Sequence, residues 1–340
     1  MKIEKWQPQL SFSMDVLPDW LFPHYNQVAQ LLKVDPRVSI GFGFDLYMLP
    51  PPAIQGVFAA ARAGGAKLIT STHFPPIIGQ GSAAKTLEDL GLLDKDILLS
   101  HGSVLSAEDA ELVEKRGAWL SSTPACEMHT GLGDPIAFRD DVKSRTSLGC
   151  CSNSVVRGSL LDQMRLSLYQ ARAARSLLLA QKKGFPKTIK PSMEEVFNLA
   201  TVQGARAIGM ESEIGRLKEG FKADLVVWNM SSPSMVCAAR ENPVTAIVGH
   251  ADTRDVEYVI IDGIMRKEEG KLLTCEVKKL EGKDLAGVKD EKLTWEEIAK
   301  KVEESRERID GRSEGSNVDG PERQTELLAV YGLDSGLLID

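Results

Sequence analysis

Two histidines stand where a strand gives way to a loop. His73 falls near the end of AKLITSTHF (66–74), and His101 near the end of ILLSHG (97–102). Imidazole changes charge near neutral pH and ligates metals through a neutral ring nitrogen. It also moves protons as a general acid or base. Parallel α/β folds place their chemistry at the carboxyl ends of their strands, which is where both residues fall. The bland alternative for each is a histidine that merely faces a loop.

The surrounding elements must position that pair. RVSIGFGFDL (37–46) reads as a strand, and Pro50-Pro51-Pro52 opens a helix that Gly64-Gly65 ends. The strand over 66–74 follows, then a helix stopped by Gly91, then the strand over 97–102. Ser106 and Asp109 form a capping box that starts a helix running to Gly117. AWLSST (118–123) and TSLGC (146–150) are the next strands, and a long helix runs from Leu160 to Lys183. This alternation predicts parallel βαβ units. A further helix covers 193–210. A buried strand at Leu225–Trp228 and a strand, turn and returning strand about Asp262-Gly263 then predict a small β module. After Cys275 the composition turns to Lys and Glu. Thr294 and Glu297 cap a surface helix over 294–309, and 310–325 reads as a disordered linker.

Composition narrows the function classes. The chain has 340 residues, 43% hydrophobic and 26% charged, so it has material for a core and is not a disordered chain. A net charge of -7 without a basic stripe argues against nucleic acid as partner. No apolar run approaches the ~18–20 residues of a membrane span. MKIEKWQPQLSFSMD lacks the apolar region of a signal peptide, and five cysteines make no disulfide framework. The expectation is a cytoplasmic enzyme with a small-molecule substrate, no nucleic-acid or membrane partner, and possible homo-oligomers.

Several motifs, in order, resemble one family. SHGSVLSAEDAELVEKRGAWLSSTP (100–124) and the spacing from THFPP through LLSHG to SLG are similar to the sixth-strand and seventh-strand region of the amidohydrolase superfamily. FNLATVQGARAIGMESEIGRLKEGFKADLVVWN (197–229) resembles the closing signature of its deaminase and chlorohydrolase branch, and VIIDGIMRKEEGKLL (259–273) its last hairpin. The likeness spans roughly residues 1–273 and is nearest to fungal-type members. It implies a metal-dependent hydrolase acting on non-peptide C–N bonds by metal-activated water, with zinc or iron as cofactor. Carried over residue by residue, His73 matches the strand-five metal ligand. His101 matches the strand-six histidine, as ligand and catalytic residue. Glu127 and His129, in TPACEMHTG, match a loop that contacts substrate, with an ordinary loop residue as the alternative for His129.

The sequence also departs from the pattern. The five histidines are 24, 73, 101, 129 and 250, so no H-x-H exists. Where the family carries its strand-eight aspartate, this chain reads Ser147-Leu148-Gly149-Cys150-Cys151-Ser152-Asn153. Pro75-Pro76 follow the strand-five histidine where many members have a glutamate. A thiolate from Cys150 or Cys151 is a possible but poor replacement, since it ligates zinc yet shuttles protons badly. The expected fold is therefore α/β: an incomplete (β/α)8 TIM-type barrel of about strands 4–8 over 1–212, a small β module over 213–274, and a charged helical and disordered tail over 275–340. The chain reads as beginning just before strand four, short of the ~250 residues of a full barrel. A non-catalytic paralogue and a truncated gene product are the readings that compete with an enzyme.

Overall fold

The described residues of the computed structural model are 3–5, 11–12, 17–33, 37–47, 49–73, 81–277 and 291–313. β1 (Ile3–Lys5) pairs antiparallel with β2 (Ser11–Phe12), and helix α1 (Leu21–Leu32) follows. Then come β3 (Phe42–Gly43), α2 (Pro51–Ala63), β4 (Ile69–His73), α3 (Ala83–Asp89), β5 (Ile97–His101), α4 (Ala107–Arg116) and β6 (Trp119–Ser122). A short helix, α5 (Pro124–His129), leads to β7 (Thr146–Leu148) and the long α6 (Leu160–Gln181). The five strands β3 to β7 form one sheet in chain order, every pair parallel. This is an open arc of a (β/α)8 barrel, and no closed barrel exists among the described residues.

One face of the arc lies under helices. Ile97 and Leu99 of β5 and Leu120 of β6 are fully buried, with Ile54 and Phe58 of α2, Leu87 of α3 and Val113 of α4 in the same core. Burying each such side chain contributes roughly 1.5–3 kcal/mol. Leu98 and Ser100 alternate with Ile97 and Leu99 and are only half-buried, so the opposite face is more open. The helix starts follow local rules. Ser106 accepts from the backbone N–H of Asp109 at 3.0 Å, and the Asp109 carboxylate accepts from the Ser106 N–H at 3.3 Å. Gly117 ends α4 in the left-handed region (φ 74°), which glycine adopts without penalty.

Beyond α6, α7 (Met193–Ala200) and α8 (Val202–Ala207) occupy the single helix expected over 193–210. The chain breaks at Thr201 (φ −122°, ψ −89°). β8 (Leu225–Trp228) is followed by α9 (Val236–Glu241) and α10 (Pro243–His250). α10 packs with α6 and α7 in a second core that holds Leu168, Val196, Ile247 and Val248. β9 (Val256–Ile261), β10 (Ile264–Glu268) and β11 (Lys271–Leu272) then complete an antiparallel sheet in the order β11-β10-β9-β8. Asp262 and Gly263, both at positive φ, make the expected turn. β12 (Cys275–Val277) pairs with β13 (Glu291–Leu293), and α11 (Trp295–Ser313) follows. Thr294 and Glu297 cap α11 reciprocally as expected, at 2.8 and 3.3 Å. Its helix runs through 310–313, which the sequence assigns to a disordered linker, while 314–325 lies outside the described residues.

Candidate active site

β4 and β5 run parallel in a register that makes His73 and His101 direct partners. The two histidines thus end adjacent strands side by side, at the carboxyl end of the sheet. Of His73 only the backbone is described. His101 is buried, 8% exposed, and has φ 71°. A positive φ is uncommon for a residue with a side chain and marks a place where the surroundings dictate backbone shape. Gly102 follows with φ 92°, and a Cβ there would come within 2.7 Å of the Ile136 side chain. The β5 terminus therefore turns sharply through a backbone conformation that favours glycine.

The partner of His101 comes from the next strand. Thr123, just past β6, places its hydroxyl 2.8 Å from His101 Nδ1. Pro124 then opens α5 at a position whose N–H needs no partner. One turn on, Glu127 folds back beneath the strand end. Its carboxylate is fully buried and accepts from the Thr123 N–H at 2.7 Å and from the Ser122 hydroxyl at 3.0 Å. It also accepts from Thr123 Oγ1 at 3.4 Å and lies 3.6 Å from His101 Nδ1. Gln163 of α6, itself fully buried, accepts from the N–H of Ala125 at 2.9 Å and holds the start of α5 in place. A buried carboxylate acting on Nδ1 directly and through a hydroxyl favours the Nδ1–H tautomer. That arrangement suits either a ligand nitrogen or a proton acceptor.

Glu127, expected in a loop that contacts substrate, is fully buried beside His101. Its carboxylate has no exposed surface, accepts from three protein donors and lies against His101. His129 lies on the last turn of α5 and is exposed, and no described hydrogen bond or ion pair joins it to His101. The structure thus sets Glu127 against His101, pairs the His73 and His101 backbones in register, and places His129 on the exposed last turn of α5.

Asp45, which follows β3, accepts from the Thr72 N–H at 2.6 Å, Thr72 Oγ1 at 3.1 Å and Ser71 Oγ at 3.3 Å. The Tyr47 hydroxyl sits 2.5 Å from Ser71 Oγ, and burial raises its pKa. These bonds fix the two residues ahead of His73.

Across the sheet, Gly149 donates to the Ser122 carbonyl at 2.8 Å, and the chain continues into Cys150 and Cys151 with no carboxylate. Burial, reinforced by the negative charge of Asp162, pushes the Cys150 thiol up from its ordinary value and away from the thiolate that a metal needs. Among the described residues no group of three or more His, Cys, Asp or Glu could hold a metal ion. The braced His101 fits one corner of a metal centre, but a protein site ordinarily takes three or four ligands.

Comparison with known proteins fits this geometry. The Amidohydrolase family pattern matches residues 59–265. The chain belongs to the Amidohydrolase family. The 5-methylthioadenosine/S-adenosylhomocysteine deaminase of Pyrococcus abyssi is 28% identical over 199 residues, covering 58% of this chain and 44% of its own length. The corresponding deaminase of Syntrophobacter fumaroxidans is 31% identical over 195 residues, covering 56% of this chain and 41% of its own. This amidohydrolase-family chain thus spans under half the length of these two relatives. An adenosine deaminase from Xanthomonas campestris with bound zinc shares the fold at a TM-score of 0.65 and 17% identity, over 86% of this chain and 61% of that one. An atrazine chlorohydrolase from Arthrobacter aurescens complexed with zinc shares it at 0.59 and 18%, over 74% and 57%.

Proposed function

We propose that this chain serves the hydrolysis of a non-peptide C–N bond, a deamination of a small aminated heterocycle, with His101 as its central residue. The observation that supports this most is the braced imidazole. Buried Glu127 and the Thr123 hydroxyl hold His101 Nδ1 at the end of β5, whose register sets the His73 backbone beside it. A divalent ion, zinc or iron, is the cofactor that this reading implies, and it would supply a water activated near neutral pH. His73 and His101 are the residues of this chain that would hold it. The chain's own contribution is to hold the imidazole in one orientation, with Glu127 buried behind it. A cytoplasmic setting belongs to the same proposal. Among the described residues no helix is long and apolar enough to cross a membrane.

A specific observation favours a second reading, a relative that has lost catalysis. The carboxyl end of β7 offers Cys150 and Cys151 in place of a carboxylate, and no three-ligand cluster is described. Ammonia release separates the two readings. The full chain is incubated with zinc or iron(II) and a panel of aminated heterocycles, including 5'-deoxyadenosine and 5-methylthioadenosine. Release that His101→Ala abolishes supports the hydrolase. A folded chain with no release above the protein-free control supports the non-catalytic relative.

A further inference from the structure

α6 outruns the body of the protein. Leu168 is fully buried, but no residue from Tyr169 to Lys190 is buried, and the chain regains cover only at Pro191. The projecting end is nonetheless a built element. α6 continues to Gln181, roughly 27 Å of helix beyond the Gln163 that touches α5. There the Gly184 N–H donates to the Leu179 carbonyl at 3.0 Å and turns the chain back. The Arg172 guanidinium donates to the Pro191 carbonyl at 3.1 and 2.9 Å and ties the returning leg to the helix.

Two features coincide on this protrusion. Phe185 is 95% exposed, Ile189 68%, Leu177 67% and Leu178 61%. Single exposed apolar side chains need no explanation, but four on one projecting segment mark a contact surface. Residues 169–190 also hold six cations, Arg172, Arg175, Lys182, Lys183, Lys187 and Lys190, and no acidic residue. Lys190 pairs with Glu195 at 3.3 Å, while Lys182, Lys183 and Lys187 have no ion-pair partner among the described residues. The net charge of -7 averages over this segment, and a surface contact needs no spanning helix.

We propose that the far end of α6 and its returning leg form a peripheral contact for an anionic lipid bilayer. Apolar side chains beside lysines are what the interfacial layer takes up: the apolar groups enter the acyl boundary and the cations stay with the headgroups. Nucleic acid would accept the cations, but its backbone has no use for the aliphatic Leu177, Leu178 and Ile189. This inference does not depend on the hydrolytic reading. The tip lies far along α6 from α5 and His101, so lipid binding leaves the carboxyl end of the sheet open.

The experiment floats the full chain with vesicles of phosphatidylcholine and phosphatidylserine, beside vesicles of phosphatidylcholine alone. Flotation leaves self-associated protein at the bottom of the gradient. The chain is expected to rise with the anionic vesicles, to stay down with the neutral ones, and to be released as salt screens the cations. Replacing Lys182, Lys183 and Lys187 by Gln together should weaken partitioning about 100-fold, at roughly fivefold per cation. Phe185→Ser should weaken it about tenfold or more. Both variants should keep the thermal unfolding of the unaltered chain, because none of these side chains is buried. Four results would overturn the proposal: no flotation with anionic vesicles, equal flotation with neutral ones, flotation unchanged in both variants, or a gel shift of RNA by a chain that does not float.

Discussion

At the residue scale the site is a histidine and what braces it. The position of His101 was legible in the sequence, because a polar residue closing an apolar strand run marks a carboxyl end. The brace was not. Glu127 is 26 positions further on and gives no periodic signal. Only the β5–β6 pairing and the short helix opened by Pro124 bring it within 3.6 Å of His101 Nδ1. Thr123 was hidden for a different reason, since a threonine at a strand end fits a plain helix cap equally well. Here its hydroxyl makes no cap bond and points at the imidazole instead. Thr123→Val removes that hydroxyl at almost constant volume. Ammonia release is expected to fall about 10–100-fold in kcat/KM, in line with losses of groups that orient a histidine. Thr123→Ser should restore most of it, and an unchanged rate for the valine variant would show that the contact does not orient His101. Glu127→Gln is expected to lower unfolding stability by about 2 kcal/mol in a denaturant titration. The amide nitrogen must then face a donor, leaving buried groups unsatisfied. Stability equal to the unaltered chain would place the carboxylate outside the hydrogen-bond network described above.

At the element scale, local sequence rules located most strands and helices, and the misses share a cause. The strands over 66–74 and 97–102 and the cap at Ser106 follow from runs of apolar residues and from capping chemistry. α5, α9 and α10 are only six to eight residues long, and each is set by tertiary packing, such as the Ala125–Gln163 bond that anchors α5. The split at Thr201 is likewise invisible in an amphipathic pattern that continues across it. One side chain couples two elements. The Asp109 carboxylate completes the α4 capping box and also accepts from Ser82, whose hydroxyl caps α3 by accepting from the Lys85 N–H at 2.9 Å. Ser106→Ala removes one cap bond and is expected to cost about 1 kcal/mol in chemical denaturation. Asp109→Ala disturbs both helix starts and leaves Ser82 without its acceptor, so about 2–3 kcal/mol is expected. Equal costs would mean that the two caps are independent.

At the scale of the whole molecule, the chain carries one arc of the barrel. The family, the open parallel sheet and the closing antiparallel module were all legible, because each rests on a motif contained within this chain. The substrate was not, since the chain spans 44% of the Pyrococcus abyssi deaminase and loops elsewhere in such enzymes shape the pocket. β3 and β7 flank the sheet with no further strand paired to them among the described residues. Unpaired edges invite association, and Leu177 and Leu178 in the last turns of α6, with Phe185 and Ile189 in the segment after it, add exposed apolar surface. Sedimentation velocity is expected to show self-association as concentration rises, and a monomer throughout would show that the edges are protected. The central claim is that His101, braced by Thr123 and Glu127, serves C–N bond hydrolysis. Its most direct test is ammonia release by the full chain with zinc or iron(II) and an aminated heterocycle, run beside His101→Ala at equal folded concentration. Release that disappears in the variant is the predicted result. No release from either protein, or equal release from both, would contradict it.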